Sequence, residues 1–257
     1  MTPSVIEREG IVAYFRRESC MLRALMDNPG TYRMPECIYK GEGTGWVDDY
    51  LSRSPSGRAL RNRIQAVIDG TEELVLEKMR YNGGGLRIIN LGCGTGRDTL
   101  EMMKRNVRWN GSVLLECVDL DREALDSGRE FAREMGVLGV DFVEANILSL
   151  AHREEFDVGL LIGVLCGIPA SRCVAILKKI RPYFKKGGIL VASNVTTAMI
   201  DEDPFMSYIL QEFVGWNLVY KTPQQLQYIF ERAGYEWKGC FYDEPHHFHC
   251  MGMGVVL

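Results

Sequence analysis

Apolar residues recur at roughly helical spacing at Ile6, Ile11, Tyr14, Phe15, Leu22 and Leu25, which predicts an amphipathic helix from Ile6 to Asp27, stopped by Asn28-Pro29-Gly30. No period holds from there to Ser56. With its Gly41-Glu-Gly-Thr-Gly45 run, this stretch predicts an irregular connection, longer than most in compact domains and therefore either disordered or functional. Ser54-Pro55-Ser56 reads as a helix start, and Leu60, Ile64, Val67, Ile68, Leu74 and Leu76 give the span Ala59–Met79 one packing face. Asn82-Gly-Gly-Gly85 ends that helix. The pattern then shortens: Leu86, Ile88, Ile89 and Leu91 form an apolar run expected of a parallel strand buried on both faces, and Val113–Val118 is a second. Near the C-terminus, Phe248–Val256 alternates like a final sheet strand.

The first of these strands runs into Gly92-Cys93-Gly94-Thr95-Gly96, and a helix is expected from about Arg97. Glycines at alternate positions let the backbone turn beneath a ligand that rests on bare main chain. The second strand ends at Asp119, a little over twenty residues on, where a carboxylate can accept both hydroxyls of a ribose. A dinucleotide fold calls for G-x-G-x-x-G, whereas this chain reads G-x-G-x-G and lacks the third, helix-packing glycine. That spacing disfavours a nicotinamide-dependent dehydrogenase.

From Leu86 to about residue 195 the chain resembles the class I S-adenosylmethionine (SAM)-dependent methyltransferases. The glycine turn is similar to their first motif and Asp119 to their acidic ribose ligand. Glu144-Ala-Asn-Ile147 resembles the adenine-bordering loop after the third strand. Phe156–Leu165 and Leu177–Leu190 resemble the fourth strand and the segment leading into the fifth. Asn146 stands where the family often has Asp, and its amide oxygen can still accept from the adenine amine. The resemblance implies an α/β, Rossmann-like seven-stranded sheet with the last strand antiparallel and helices on both faces, preceded here by an N-terminal helical cap. It divides the chain into a cap at 1–81 and a methyltransferase domain at 82–257, with a lid insertion at about 197–220. The cofactor implied is SAM, leaving as S-adenosylhomocysteine (SAH). The cofactor-binding residues implied are Gly92, Cys93, Gly94, Gly96, Asp119, Leu120, Asn146, Ile147 and Gly163, with Arg63 reaching in from the cap. More narrowly, Tyr32–Pro35, the stretch from Gly41 to Asp49-Tyr50, Ser54–Arg63, Phe205–Tyr208 and Gly215–Tyr220 resemble bacterial methyltransferases that form 3-hydroxy fatty acid methyl esters.

Composition narrows the partners. A chain of 257 residues with net charge −4 suits one α/β core with an extension, and argues against broad electrostatic attraction to nucleic acid. No signal-peptide pattern or bilayer-length apolar run is present, so a cytoplasmic protein without a membrane span is expected; oligomerisation is compatible with the sequence. The eight cysteines include no C-x-x-C pair and read as reduced thiols.

Methyl transfer from a sulfonium is an in-line displacement, so alignment and exclusion of water matter most, and a base is needed only when the acceptor carries a proton. Asp49 and Tyr50 are candidates for base and substrate ligand, and Asn194, at the end of the fifth strand, lies on the rim where such sheets bind ligands. Each has a structural alternative, as do Arg58, Arg61 and Arg63, which could equally be a solvated helix face. Cys166 is expected to pack. His246-His-Phe-His-Cys250 contains good zinc ligands, but no second ligand cluster lies nearby in sequence and no metal is expected; a histidine here could instead reach over the sheet end as a base. The leading expectation is methylation of a small-molecule carboxylate or hydroxyl, with fatty acid-like acceptors among the candidates. The alternatives are a protein or RNA methyltransferase, and a catalytically silent SAM-binding regulator.

Overall fold

The computed structural model describes residues 5–82 and 85–257. Of the expected Asn82–Gly85 stop, Gly83 and Gly84 lie outside the described residues, as does the side chain of Ile6. Seven strands form one sheet: β1 (Leu86–Leu91), β2 (Val113–Asp119), β3 (Val140–Glu144), β4 (Phe156–Leu161), β5 (Phe184–Val195), β6 (Tyr235–Tyr242) and β7 (His249–Val256). Their order is β3-β2-β1-β4-β5-β7-β6, parallel except for β7, which runs antiparallel to both neighbours. This is the seven-stranded sheet with an antiparallel last strand that the resemblance implied.

Alternation along β1 assigns the two faces. Leu86 and Ile88 join the core beneath α5 (Pro55–Asn82), α6 (Arg97–Arg105) and α7 (Arg122–Met135), while Ile89 and Leu91 join the core beneath α8 (Ala170–Ile180) and α11 (Pro223–Arg232). Order reverses at β1/β4, the switch point outside whose C-terminal strand ends such sheets bind ligands.

The N-terminal region departs from the periodicity reading. The single helix expected over Ile6–Asp27 is two, α1 (Val5–Glu18) and α2 (Cys20–Asp27), parted at Ser19. Ser19 caps α2 by accepting from the Leu22 N–H at 2.9 Å and donates its hydroxyl to Asp48, which also accepts from the Cys20 and Met21 N–H groups. The stretch expected to be irregular holds α3 (Arg33–Lys40) and α4 (Trp46–Arg53). Each is only eight residues long, too short to be stable alone, and each is held by burying Met34, Ile38, Val47 and Leu51 in a third core. Facing them is the insertion after β5: α9 (Ala198–Glu202), α10 (Pro204–Tyr208) and a π-helical turn (Ile209–Phe213). Met199, Met206, Ile209 and Leu210 join the same core, and Asp203 accepts from the Ser56 N–H and hydroxyl at 3.1 and 2.8 Å. The helices α2–α4 and the insertion therefore pack as one layer over the C-terminal strand ends.

Candidate active site

The turn after β1 has the left-handed backbone that its glycines permit, with φ of 66° at Gly92, 57° at Gly94 and 70° at Gly96. Asp119, at the end of β2, braces it: one carboxylate oxygen accepts from the Gly94 N–H at 2.7 Å and the other from the Asp121 N–H at 2.9 Å. The helix-packing glycine missing from the turn has a counterpart on α7, where a Cβ at Gly128 would lie 2.5 Å from the Thr95 carbonyl oxygen. Glycine spacing within the turn could not reveal it, because the close approach comes from another helix.

A cavity of about 700 Å³ opens over this turn. Its floor is Gly92–Thr95, Asp119 and Gly163, its near wall comes from α2, α3 and α5, and its far wall from Met199, Met206, Leu210 and Trp216. Polar groups gather at the turn end. Tyr39 accepts from Arg63 Nη2 at 2.8 Å, and Asp98 accepts from the Asn90 amide at 2.9 Å and the Thr99 N–H at 2.7 Å. Burial pushes the Asp98 carboxyl above its ordinary value, against the opposing pull of these N–H donors and of Arg63. Burial likewise raises the Tyr39 phenol and the Cys166 thiol. The other end is apolar, walled by Leu60, Val195, Leu218 and Phe248 along with the insertion residues. Ion pairs hold α3 against the turn: Glu36 receives Arg97 at 2.7 Å and the Thr95 hydroxyl at 2.9 Å, and Arg33 reaches Asp121 at 3.3 Å.

Of the residues singled out from sequence, Gly92, Cys93, Gly94, Asp119, Gly163 and Arg63 meet at this cavity, together with Cys166 and Trp216. The other candidates, the histidines aside, are not among the residues lining it. Gly96 sits behind the turn as the N-cap of α6, where a Cβ would meet Cys117 Sγ at 3.0 Å. Leu120 points to solvent, 68 % exposed. Asn146 accepts from the Leu148 N–H at 2.9 Å to shape its own turn, and Ile147 packs against the α8-side core. Asp49 and Tyr50 lie on the outer face of α4, with Tyr50 edge-on to Phe205 at 5.9 Å. Asn194 is buried on the face of β5 opposite Ser193 and Val195; its amide oxygen accepts from Lys221 Nζ at 2.9 Å and its nitrogen donates to the Val195 carbonyl at 2.6 Å. Arg58 and Arg61 are engaged with backbone carbonyls of the α4 end, at 2.6 Å to Arg53 and 2.8 Å to Ser52.

The histidines diverge. His246 pairs with Glu202 at 2.9 Å and His247 with Glu244 at 2.9 Å, while His249 enters the cavity wall; among the described residues no three metal-ligating side chains converge. The sequence reading did not single out Glu36, Tyr39 or Asp98. Asp98 had a usable signal, since it immediately follows the glycine turn on the first turn of a helix. Tyr39 and Glu36 had none, because α3 has no periodicity long enough to detect.

Residues 82–234 match the family model of the methyltransferase domain. Among curated proteins, the indolepyruvate C-methyltransferase of Streptomyces griseus is 28 % identical over 141 residues, covering 53 % of this chain and 40 % of that protein. The chain spans less than half the length of the curated relatives it matches. Among solved structures, a possible exported protein from Bordetella parapertussis superposes with a TM-score of 0.69 at 16 % identity over 99 % of both chains. The magnesium protoporphyrin IX methyltransferase of Synechocystis PCC 6803, solved with bound SAH, superposes with 0.64 at 13 % identity over 98 % of this chain and 100 % of that one. At these identities the likeness is one of fold.

Proposed function

The chain belongs to the class I SAM-dependent methyltransferase family, and from that premise we propose that it transfers a methyl group to an oxygen, carboxylate or hydroxyl, of a small and largely apolar acceptor, with residues 1–81 as a cap on the catalytic domain at 82–257. The observation that carries this reading is the cavity itself, which is polar beside the glycine turn and apolar beneath the cap and insertion. A concave pocket with a polar end and an apolar lining favours a small molecule over a protein or RNA surface.

The residues at the turn end fit the cofactor. A bare glycine backbone allows close approach, and Asp119 presents carboxylate oxygens at the end of β2 for ribose hydroxyls. Asp98 and Arg63 supply opposite charges suited to the ammonium and carboxylate of the methionine moiety. Bound there, SAM supplies an electrophilic methyl group on a sulfonium. The chain's own contribution is to hold the acceptor in line and to exclude water, through Trp216, Leu218 and the methionines of the insertion. The apolar wall also accommodates an alkyl chain, in keeping with the resemblance to enzymes that form 3-hydroxy fatty acid methyl esters.

Calorimetry with SAM, SAH and NAD tests the cofactor assignment: SAM and SAH are expected to bind and NAD is not, and a folded protein that binds neither SAM nor SAH would refute the proposal. Turnover with methyl-labelled SAM and 3-hydroxydecanoic acid, which offers both oxygen types, tests the acceptor class. Labelled ester or ether supports it, and label transferred only to protein or RNA in a lysate overturns it.

A further inference from the structure

At the far rim of the cavity lies a buried pair that methyl positioning alone does not require. His249 opens β7, in register with Val195 of β5, and both residues line the cavity. Asp243, fully buried in the connection from β6, accepts from the His249 backbone N–H and lies 3.3 Å from its Nδ1. A carboxylate can only accept, so the proton resides on Nδ1 and Nε2 keeps its lone pair; Nε2 has no partner among the described residues. The remaining oxygen of Asp243 has no hydrogen-bond partner among the described residues either.

We propose that His249 is the general base of the reaction, with Asp243 as its positioning residue, and that the acceptor is therefore a hydroxyl of phenolic or enolic type on an apolar frame rather than a carboxylic acid. This rests on the methyltransferase reading above. The acceptor O–H proton passes to Nε2 as the oxygen lone pair forms its bond to the methyl carbon and the carbon–sulfur bond breaks, its electron pair going to sulfur. The imidazolium is held beside Asp243 and then releases its proton to water. A carboxylate acceptor, already ionised, has no use for such a base.

The charged groups bearing on His249 are Asp243 from the β6–β7 connection and Arg63 from α5, while Cys166 after β4 and Tyr39 on α3 line the same cavity. Burial pushes the imidazole below its ordinary range and Arg63 adds to that, with Asp243 opposing both. The base is consequently neutral and ready to accept at pH 7, and its activity falls only in more acidic solution.

The test uses SAH-loaded protein and 4-nitrophenol, whose ionised form is coloured. Bound to wild type near pH 6.5, the probe is expected to be less ionised than in free solution, because its O–H is held by the Nε2 lone pair of the neutral imidazole. His249→Gln abolishes the effect and Asp243→Asn diminishes it, with SAH affinity equal in all three. With SAM in place of SAH, and 4-ethylphenol, which keeps its proton at neutral pH, as the acceptor, His249→Gln is expected to lower turnover by about 10²- to 10⁴-fold. Equal ionisation in wild type and His249→Gln, or no probe binding by protein that binds SAH, overturns the proposal; failure to bind SAH instead refutes the cofactor reading. Histidine ¹⁵N NMR of the wild type needs no variant: Nδ1–H with a bare Nε2 at pH 7 supports the dyad, and the opposite tautomer refutes it.

Discussion

Asp119 is asked to do two things at once, and Asp119→Asn separates them. In the wild type its two carboxylate oxygens accept the N–H groups of Gly94 and Asp121 at 2.7 and 2.9 Å. An asparagine of the same shape has one oxygen, so one of these N–H groups faces an amide nitrogen and loses its acceptor. A hydrogen bond to a charged group contributes roughly 1.5–3 kcal/mol, and the loss is felt whether or not cofactor is present. For a chain of this size that corresponds to a fall in melting temperature of roughly 3–12 °C. The ribose hydroxyls lose a charged acceptor as well, a further ~1.5–3 kcal/mol or roughly 10- to 150-fold in SAH dissociation constant. The assays are thermal melting without ligand and calorimetric titration with SAH at a temperature where both proteins are folded. Thr222→Ala is the control: it removes the cap that accepts the Gln225 N–H of α11 at 3.2 Å, outside the cavity lining, and should cost about 1 kcal/mol of stability with no change in SAH affinity. If Asp119→Asn melts lower yet binds SAH like wild type, the carboxylate only braces the turn; if neither quantity changes, the account of the turn is wrong.

Gly128→Ala would force a methyl against the Thr95 carbonyl, so about 1–3 kcal/mol of destabilisation in urea is expected, and an unchanged midpoint would show that α7 can shift freely away from the turn. Arg63→Met should weaken SAH binding at least tenfold, whereas Arg61→Met, which loses only its bonds to Ser52, should leave affinity unchanged; equal effects in paired titrations would contradict the division of roles. Acid should loosen the cap through Asp48. Burial raises this carboxyl, but donation from Ser19, Thr44, Cys20 and Met21 outweighs it and holds the folded value below the ordinary range. Its contribution is therefore complete above the unfolded value of about 3.9 and is lost as pH falls through the lower folded value. The stability gap between wild type and Asp48→Asn should accordingly be wide at pH 7 and narrow towards pH 3, and a gap independent of pH would rule the linkage out.

The sheet and the glycine-turn end of the cavity were legible because their determinants are local. β1 announces itself by an apolar run, the turn by alternate glycines, and Asp119 by its position at the end of the next strand. Residues that matter only through another element were not legible. Asp49 and Tyr50 sit in a suggestive motif, yet the rotation of α4 buries Val47, Asp48 and Leu51 and turns the pair outward. Asn194 lies at the right height on β5 but on the wrong face, one residue out of phase with Val195. Tyr39 and Glu36 belong to a helix of eight residues that exists because a core from two distant segments closes around it.

The sequence by itself thus determined the α/β class, the glycine turn after the first strand and the family, since hydrophobic period and glycine spacing act over a few residues at a time. The tertiary structure decided which polar groups share the cavity, which arginine faces it, and that His249 meets Asp243 at its wall. Those are questions of which face turns inward and what packs against it, and they are settled by burial and hydrogen-bond satisfaction between segments that lie far apart in the chain.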